Sequence, residues 1–77
     1  MPEPAQTLDV RPIPPRDKHP TIFRLLDALK PGEALRSVND HDPLPLYYQL
    51  QAQSPGAYGW NKVENGPETW QVDIVKA

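Results

Sequence analysis

Apolar and polar residues alternate over residues 7–11, where Leu8 and Val10 share one face and Asp9 and Arg11 the other, which is the period of a half-buried strand. The period changes after Pro20: Ile22, Leu25, Leu26 and Leu29 recur at i, i+3, i+4 and i+7, with Phe23 and Ala28 widening the stripe and Arg24, Asp27 and Lys30 outside it. That spacing predicts a helix over 20–30, with Pro20 at the first helical position and Lys30-Pro31-Gly32 as its stop. Residues 12–19, which hold Pro12, Pro14 and Pro15, read as an irregular loop pinned to the core by Ile13. Residues 33–38 read as a second strand, although Arg36 and Ser37 interrupt its apolar run. A strand, a helix and a strand in succession imply a right-handed crossover and a parallel pair.

A second helix is expected to start at Pro43 or Pro45 and to run to about Gln53, with Leu46 and Leu50 buried and Ser54-Pro55-Gly56 ending it. Asp42 is the expected N-cap, because its carboxylate can accept free amide donors of the first turn. Asn65-Gly66 then joins residues 58–64 and 68–76 as an antiparallel hairpin. Trp70, Val72 and Ile74 share the expected core face of the last strand. With a two-residue loop, Val63 pairs onto that face and Tyr58 and Trp60 point away from it; a one-residue bulge reverses the assignment. Together these elements predict an α+β fold, a two-layer sandwich of order β-α-β-α-β-β, with a mixed four-stranded sheet and both helices on one face.

Seventy-seven residues allow one domain, able to bury only about 60% of its unfolded surface, so no large enclosed active site is expected. Residues 1–6, with Pro2 and Pro4 and no apolar period, read as a flexible N-terminal tail, and residues 7–77 as the domain. A net charge of −2 argues against a nucleic-acid partner. The lack of cysteine excludes disulfides, thiolate metal sites and thiol catalysis. No run approaches the roughly 20 apolar residues that span a bilayer, and no signal pattern opens the chain, so a cytoplasmic protein without a membrane partner is expected.

The opening Leu8-Asp9-Val10-Arg11 is followed by a proline loop, a helix and Pro31-Gly32-Glu33, then by a strand leading into Asn39-Asp40-His41-Asp42-Pro43 and Pro45-Leu46-Tyr47-Tyr48. Over about residues 8–76 this resembles an uncharacterised bacterial domain-of-unknown-function family, similar in layout to the TusA/SirA sulfur-carrier proteins. The resemblance implies the same two-layer fold. The carriers place a cysteine followed by proline at the start of the first helix, where this chain has Pro14, Pro15 and His19-Pro20. Persulfide transfer by that mechanism is excluded, because only a thiolate can carry the sulfane sulfur. Relatives in the uncharacterised family are often joined to hemerythrin-like or cupin domains, which implies a setting in bacterial redox or metal-linked metabolism.

Candidate chemistry gathers where strand-to-helix loops leave the carboxyl ends of parallel strands, the usual ligand edge of open α/β sheets. His19 and His41 fall in the two expected loops, with Arg11, Arg16, Asp17, Asn39, Asp40 and Asp42 around them. His19, His41 and Asp40 would suit a divalent metal, though no metal is required by the sequence. The helix N-termini, supported by Arg11 and Arg16, would suit a small anion. The ordinary reading of His41 and its neighbours is that they hold the loop and cap the helix. Tyr47 and Trp60, with Tyr58 on an open sheet face, suggest a surface for another domain or a second copy. Catalysis by the chain alone is disfavoured, since Ser37, His41 and Asp40 have no reason to align as a triad and no phosphate loop is present. The expected function is therefore an accessory binding or protein-interaction module, with a metal- or anion-binding protein as the alternative.

Overall fold

The computed structural model describes residues 6–77, with elements β1 (Gln6–Asp9), α1 (Pro15–Asp27), β2 (Ala34–Asn39), α2 (Leu44–Gln53), β3 (Tyr58–Asn65) and β4 (Trp70–Lys76). Of the tail expected over residues 1–6, residues 1–5 lie outside the described part and Gln6 belongs to β1. The sheet order is β1-β2-β4-β3, with β1 and β2 parallel and the other two pairs antiparallel. β4 thus occupies the centre beside β2, while β1 and β3 are the edges.

Cross-strand register places the core on one sheet face. Leu35 pairs with Ile74, and Ser37 with Val72, so these four share a side. Ile22 and Leu26 of α1 and Leu46 and Leu50 of α2 pack into the same cluster as Leu35, Val72 and Ile74, which puts both helices on that face. Val10 closes the cluster just past β1, where its amide donates to Val38 O at 3.0 Å and extends the parallel ladder. On the opposite face Arg36 lies beside Asp73 and makes a two-point ion pair, Nε–Oδ1 2.8 Å and Nη2–Oδ2 2.9 Å. That pair lets two charged residues sit in central strands without unpaired polar atoms.

Two local expectations are corrected and one open alternative is decided. First, α1 begins at Pro15, not Pro20. Pro14 is its N-cap and Pro15 its first helical residue, where a missing N–H is harmless; Asp17 N reaches Pro14 O at 2.8 Å. Pro20 lies inside the helix and forfeits one bond to the carbonyl of Arg16, at a position where both residues face solvent and water can substitute. Arg16, Asp17 and His19 are consequently helical residues, not loop residues.

Second, Asp42 does not cap α2. Pro43 holds the N-cap position, its carbonyl accepts the first helical bond from Tyr47 N at 3.1 Å, and no side chain caps the turn. Asp42 is thereby one residue too early in the chain.

Third, the hairpin carries a bulge. Lys62 pairs with Val72 but Glu64 with Gln71, which leaves Val63 as the extra residue, exposed at 41%. The bulge turns Trp60, opposite Ile74, and Tyr58 onto the core side, where both pack against the cluster, so the bulged one of the two registers left open is the one adopted and these rings do not lie on the open face. The connection is also longer than the two residues that Asn65-Gly66 suggests, because Asn65 pairs with Trp70 and residues 66–69 form the loop. Gly66 has φ +72°, and a Cβ there would lie 2.5 Å from the Trp70 ring, so both backbone and packing demand glycine.

Candidate functional site

Two concave features beside α2 take five of the predicted site residues, His19, Asn39 and His41 in one and Tyr47 and Trp60 in the other. The first is a cleft of about 40 Å³ at the carboxyl ends of β1 and β2. Its polar lining is Lys18 and His19 from α1, Asn39 from the end of β2 and His41 from the loop that follows. Val10, Ile22 and Leu46 supply its apolar floor.

Each polar group is held in a definite way. Asn39 is 5% exposed, and its Nδ2 donates to Ser37 Oγ at 3.2 Å, which satisfies the buried serine hydroxyl within the core face. Ser37 is itself fully buried, away from any role as a nucleophile. His19 Nδ1 donates to the side-chain oxygen of Gln49, an exchange that ties α1 to α2. His41 is exposed and its Nδ1 donates to Asp40 Oδ1 at 2.8 Å. That hydrogen bond holds the Asp40 carboxyl below its ordinary range, with the Lys18 ammonium adding to the effect.

Arg11 does not serve the cleft. Its guanidinium grips Asp9 at two points, Nε–Oδ1 2.9 Å and Nη2–Oδ2 2.7 Å, while its backbone amide donates to Oδ1 at 3.0 Å. The Asp9 carboxyl is accordingly pulled down to about 2, first by these hydrogen bonds. Arg16 and Asp17 are exposed in the first turn of α1 and line neither concave feature. The metal set is not assembled: among the described residues no three His, Cys, Asp or Glu side chains form a group that could hold an ion. His41 and Asp40 are turned to each other, and His19 to Gln49.

The second feature is an open groove of about 420 Å³ between α2 and the edge strand β3. Leu44, Tyr47 and Gln51 form its helical wall, at i, i+3 and i+7; Tyr58, Trp60 and Lys62, alternate residues of β3, form the other. Tyr47 meets Trp60 edge to face, with ring centroids 5.2 Å apart at 70°, and Tyr48 meets Tyr47 in the same manner at 5.7 Å. Burial, and after it the charge of Asp27, pushes the Tyr58 hydroxyl above its ordinary pKa. Among the described residues the exposed large hydrophobics are Leu44, Tyr48 and Val63, all on these two elements.

His19 and His41 thus do meet at one edge, while Tyr47 and Trp60 belong to a separate place. Lys18, Gln49, Leu44 and Gln51 were not singled out from the sequence. A helix read from Pro14-Pro15 would have put Lys18 beside His19 on its first turns, and the i, i+3, i+7 spacing of Leu44, Tyr47 and Gln51 was available in the chain.

A match to the family described as "Uncharacterized conserved protein (DUF2249)" covers residues 7–76. The chain belongs to that family. No curated protein and no solved structure matches it. The family description assigns no reaction, so the chemistry rests on this molecule's own surfaces. Among the described residues no helix is long and apolar enough to cross a membrane.

Proposed function

We propose that this family member is a protein-interaction module whose docking surface is the α2/β3 groove and whose occupant is an extended, apolar segment of a partner protein carrying an acidic residue. The carrying observation is that an aromatic groove runs beside an edge strand. Among the described residues β3 pairs only with β4, so its outer backbone groups are available to a further strand, and a helix stands over the same edge. A segment added there would bond to the β3 backbone and send alternate side chains over Trp60 and Tyr47. Lys62 is the one charged residue lining the groove and makes no ion pair among the described side chains, which favours an acidic group opposite it.

The broader setting follows the family resemblance: a TusA-like layout without the sulfur-carrying thiol, in bacterial cytoplasm, serving redox or metal-linked metabolism beside a hemerythrin-like or cupin domain. An accessory role without catalysis of its own fits that setting.

The test is selection of a randomised peptide library on the full chain, followed by amide NMR with the enriched peptides. Enrichment of extended apolar sequences with an acidic residue, and shifts confined to β3 and α2 that Trp60→Ala abolishes, would support the reading. No enrichment, or shifts on the Arg36/Asp73 face, would overturn it. So would a concentration-dependent dimer with protected β3 amides, which would make the occupant a second copy.

A further inference from the structure

We infer that the cleft between α1 and the β2–α2 loop is a binding site for a small inorganic oxyanion, held by the side chains of Lys18, His19, Asn39 and His41. This goes beyond the groove reading and shares no lining residue with it.

The inference rests first on the donor set. Among the described residues the polar lining consists of one ammonium, two imidazoles and one carboxamide, with no carboxylate in it. Every one of these groups can donate a hydrogen bond, and three can carry positive charge. Asp40 lies next to the cleft, but its carboxylate is engaged by His41 Nδ1 and is not part of the lining. That bond and the Gln49 bond to His19 both use Nδ1, so each ring keeps Nε2 as its uncommitted nitrogen. A protonated imidazole in either place gains a second N–H donor, Nε2–H, which its present partner does not consume.

Size and position narrow the ligand. About 40 Å³ of space takes an ion of a few heavy atoms and cannot enclose a nucleotide or a sugar phosphate. The cleft sits at the carboxyl end of the parallel β1/β2 pair, the usual ligand edge of an open sheet. The first turn of α2 is a poor donor set, because Pro43 and Pro45 have no amide hydrogen and only Leu44 and Leu46 keep a free N–H there. Side chains from three elements replace the helix amides. Arg11, which follows β1 at the same edge, is spent on Asp9. Asp17 and Asp42 are carried by α1 and the loop without lining the space, so neither contributes a wall of negative charge.

The test uses sulfate, which stays divalent, titrated into the full chain at about pH 5.5. Ionic strength is held constant with sodium chloride, and amide and imidazole NMR signals are followed. Saturable shifts are expected at Lys18, His19, Asn39 and His41, with none at Arg11 or Arg16. Lys18→Met and His41→Ala are each expected to weaken binding about tenfold, the loss of one charge-assisted hydrogen bond. Arg16→Met, which removes an equal charge from the exposed first turn of α1, is expected to change it less than about twofold. His41 is exposed and Lys18 half-buried, so the variants should keep the parent fold; if one does not, the other decides. Shifts that rise without saturation, shifts that sodium chloride alone reproduces, or equal weakening by Arg16→Met would each overturn the site.

Discussion

The two flanks of α2 make an instructive pair. On one side Pro45 and Gln49, a turn apart, look toward α1 and a small cleft walled by hydrogen-bond donors. On the other, Leu44, Tyr47 and Gln51 look toward β3 across a groove some tenfold larger, with aromatic rings as half of its lining. The helix is the same, and so is the core row of Leu46 and Leu50 beneath it. What differs is the neighbour. α1 is packed close enough for a direct side-chain bond to α2, whereas the bulged edge strand leaves a gap that its rings only partly fill. A closed polar contact can discriminate by charge but admits only an ion; an open aromatic one admits a chain segment but discriminates mainly by shape. If both readings hold, one ten-residue helix serves two ligands of unlike chemistry.

The largest effect expected from a single change strikes both flanks through their common seat. Leu50 is 3% exposed and lines neither feature. Leu50→Ala should cost about 3 kcal/mol, a large share of the stability of so small a domain. Urea unfolding measures it, and sulfate and peptide binding should weaken together. Loss confined to one flank would show that α2 is not seated as a unit.

Trp60→Ala comes next and separates the flanks. It removes the ring that Tyr47 meets and a half-buried part of the groove wall, at a cost of about 2 kcal/mol. Peptide binding should disappear while the sulfate titration is unchanged. A parallel loss of sulfate affinity would mean that the groove and the cleft are coupled through the helix.

Gly66→Ala acts further out. Forcing a Cβ onto φ +72° and into the Trp70 ring should cost about 1–2 kcal/mol by urea unfolding. Amide shifts should concentrate in the β3–β4 turn, with those around His19 and His41 unmoved; shifts spreading to the cleft would contradict the independence of the two sides.

The chain announces its architecture better than its sites. Alternation at Leu8 and Val10, the helical stripe from Ile22 to Leu29 and the alternation of Val72 and Ile74 all lead to the observed element order, because burial enforces their periods. β2 was the faint strand for a physical reason: Ser37 and Asn39 occupy core-face positions and satisfy each other there, so polar letters stand where apolar ones were sought. Proline misled at α1, since the same residue starts a helix at Pro15 and is tolerated within it at Pro20. The register of β3 was left open by a pattern with period two, which reads equally well with or without an extra residue; Val63 decides it only in three dimensions. The meeting of His19 with His41 was legible from topology, but its company was not. Lys18 reaches the cleft because α1 starts early, and Arg11 is absent from it because Asp9 lies two residues away.

The smallest predicted effect bears on that last point. Asp9 is an exposed carboxylate whose pKa in the folded chain is depressed to about 2 from an ordinary 3.8. A depressed value means that the charged form is favoured in the native state, so the stabilising contribution is present above the ordinary value and fades as pH falls through about 2. Arg11→Ala should return the Asp9 midpoint, followed by carboxyl carbon NMR, to the ordinary carboxylate range. Because the pair is exposed, stability at neutral pH should barely change. The sulfate titration should be unaltered as well, since the guanidinium is held at two points by Asp9 and does not line the cleft. An ordinary Asp9 midpoint in the parent protein, together with weaker sulfate binding in Arg11→Ala, would instead show Arg11 leaving Asp9 for the anion, and the polar flank of α2 would then have a fifth donor.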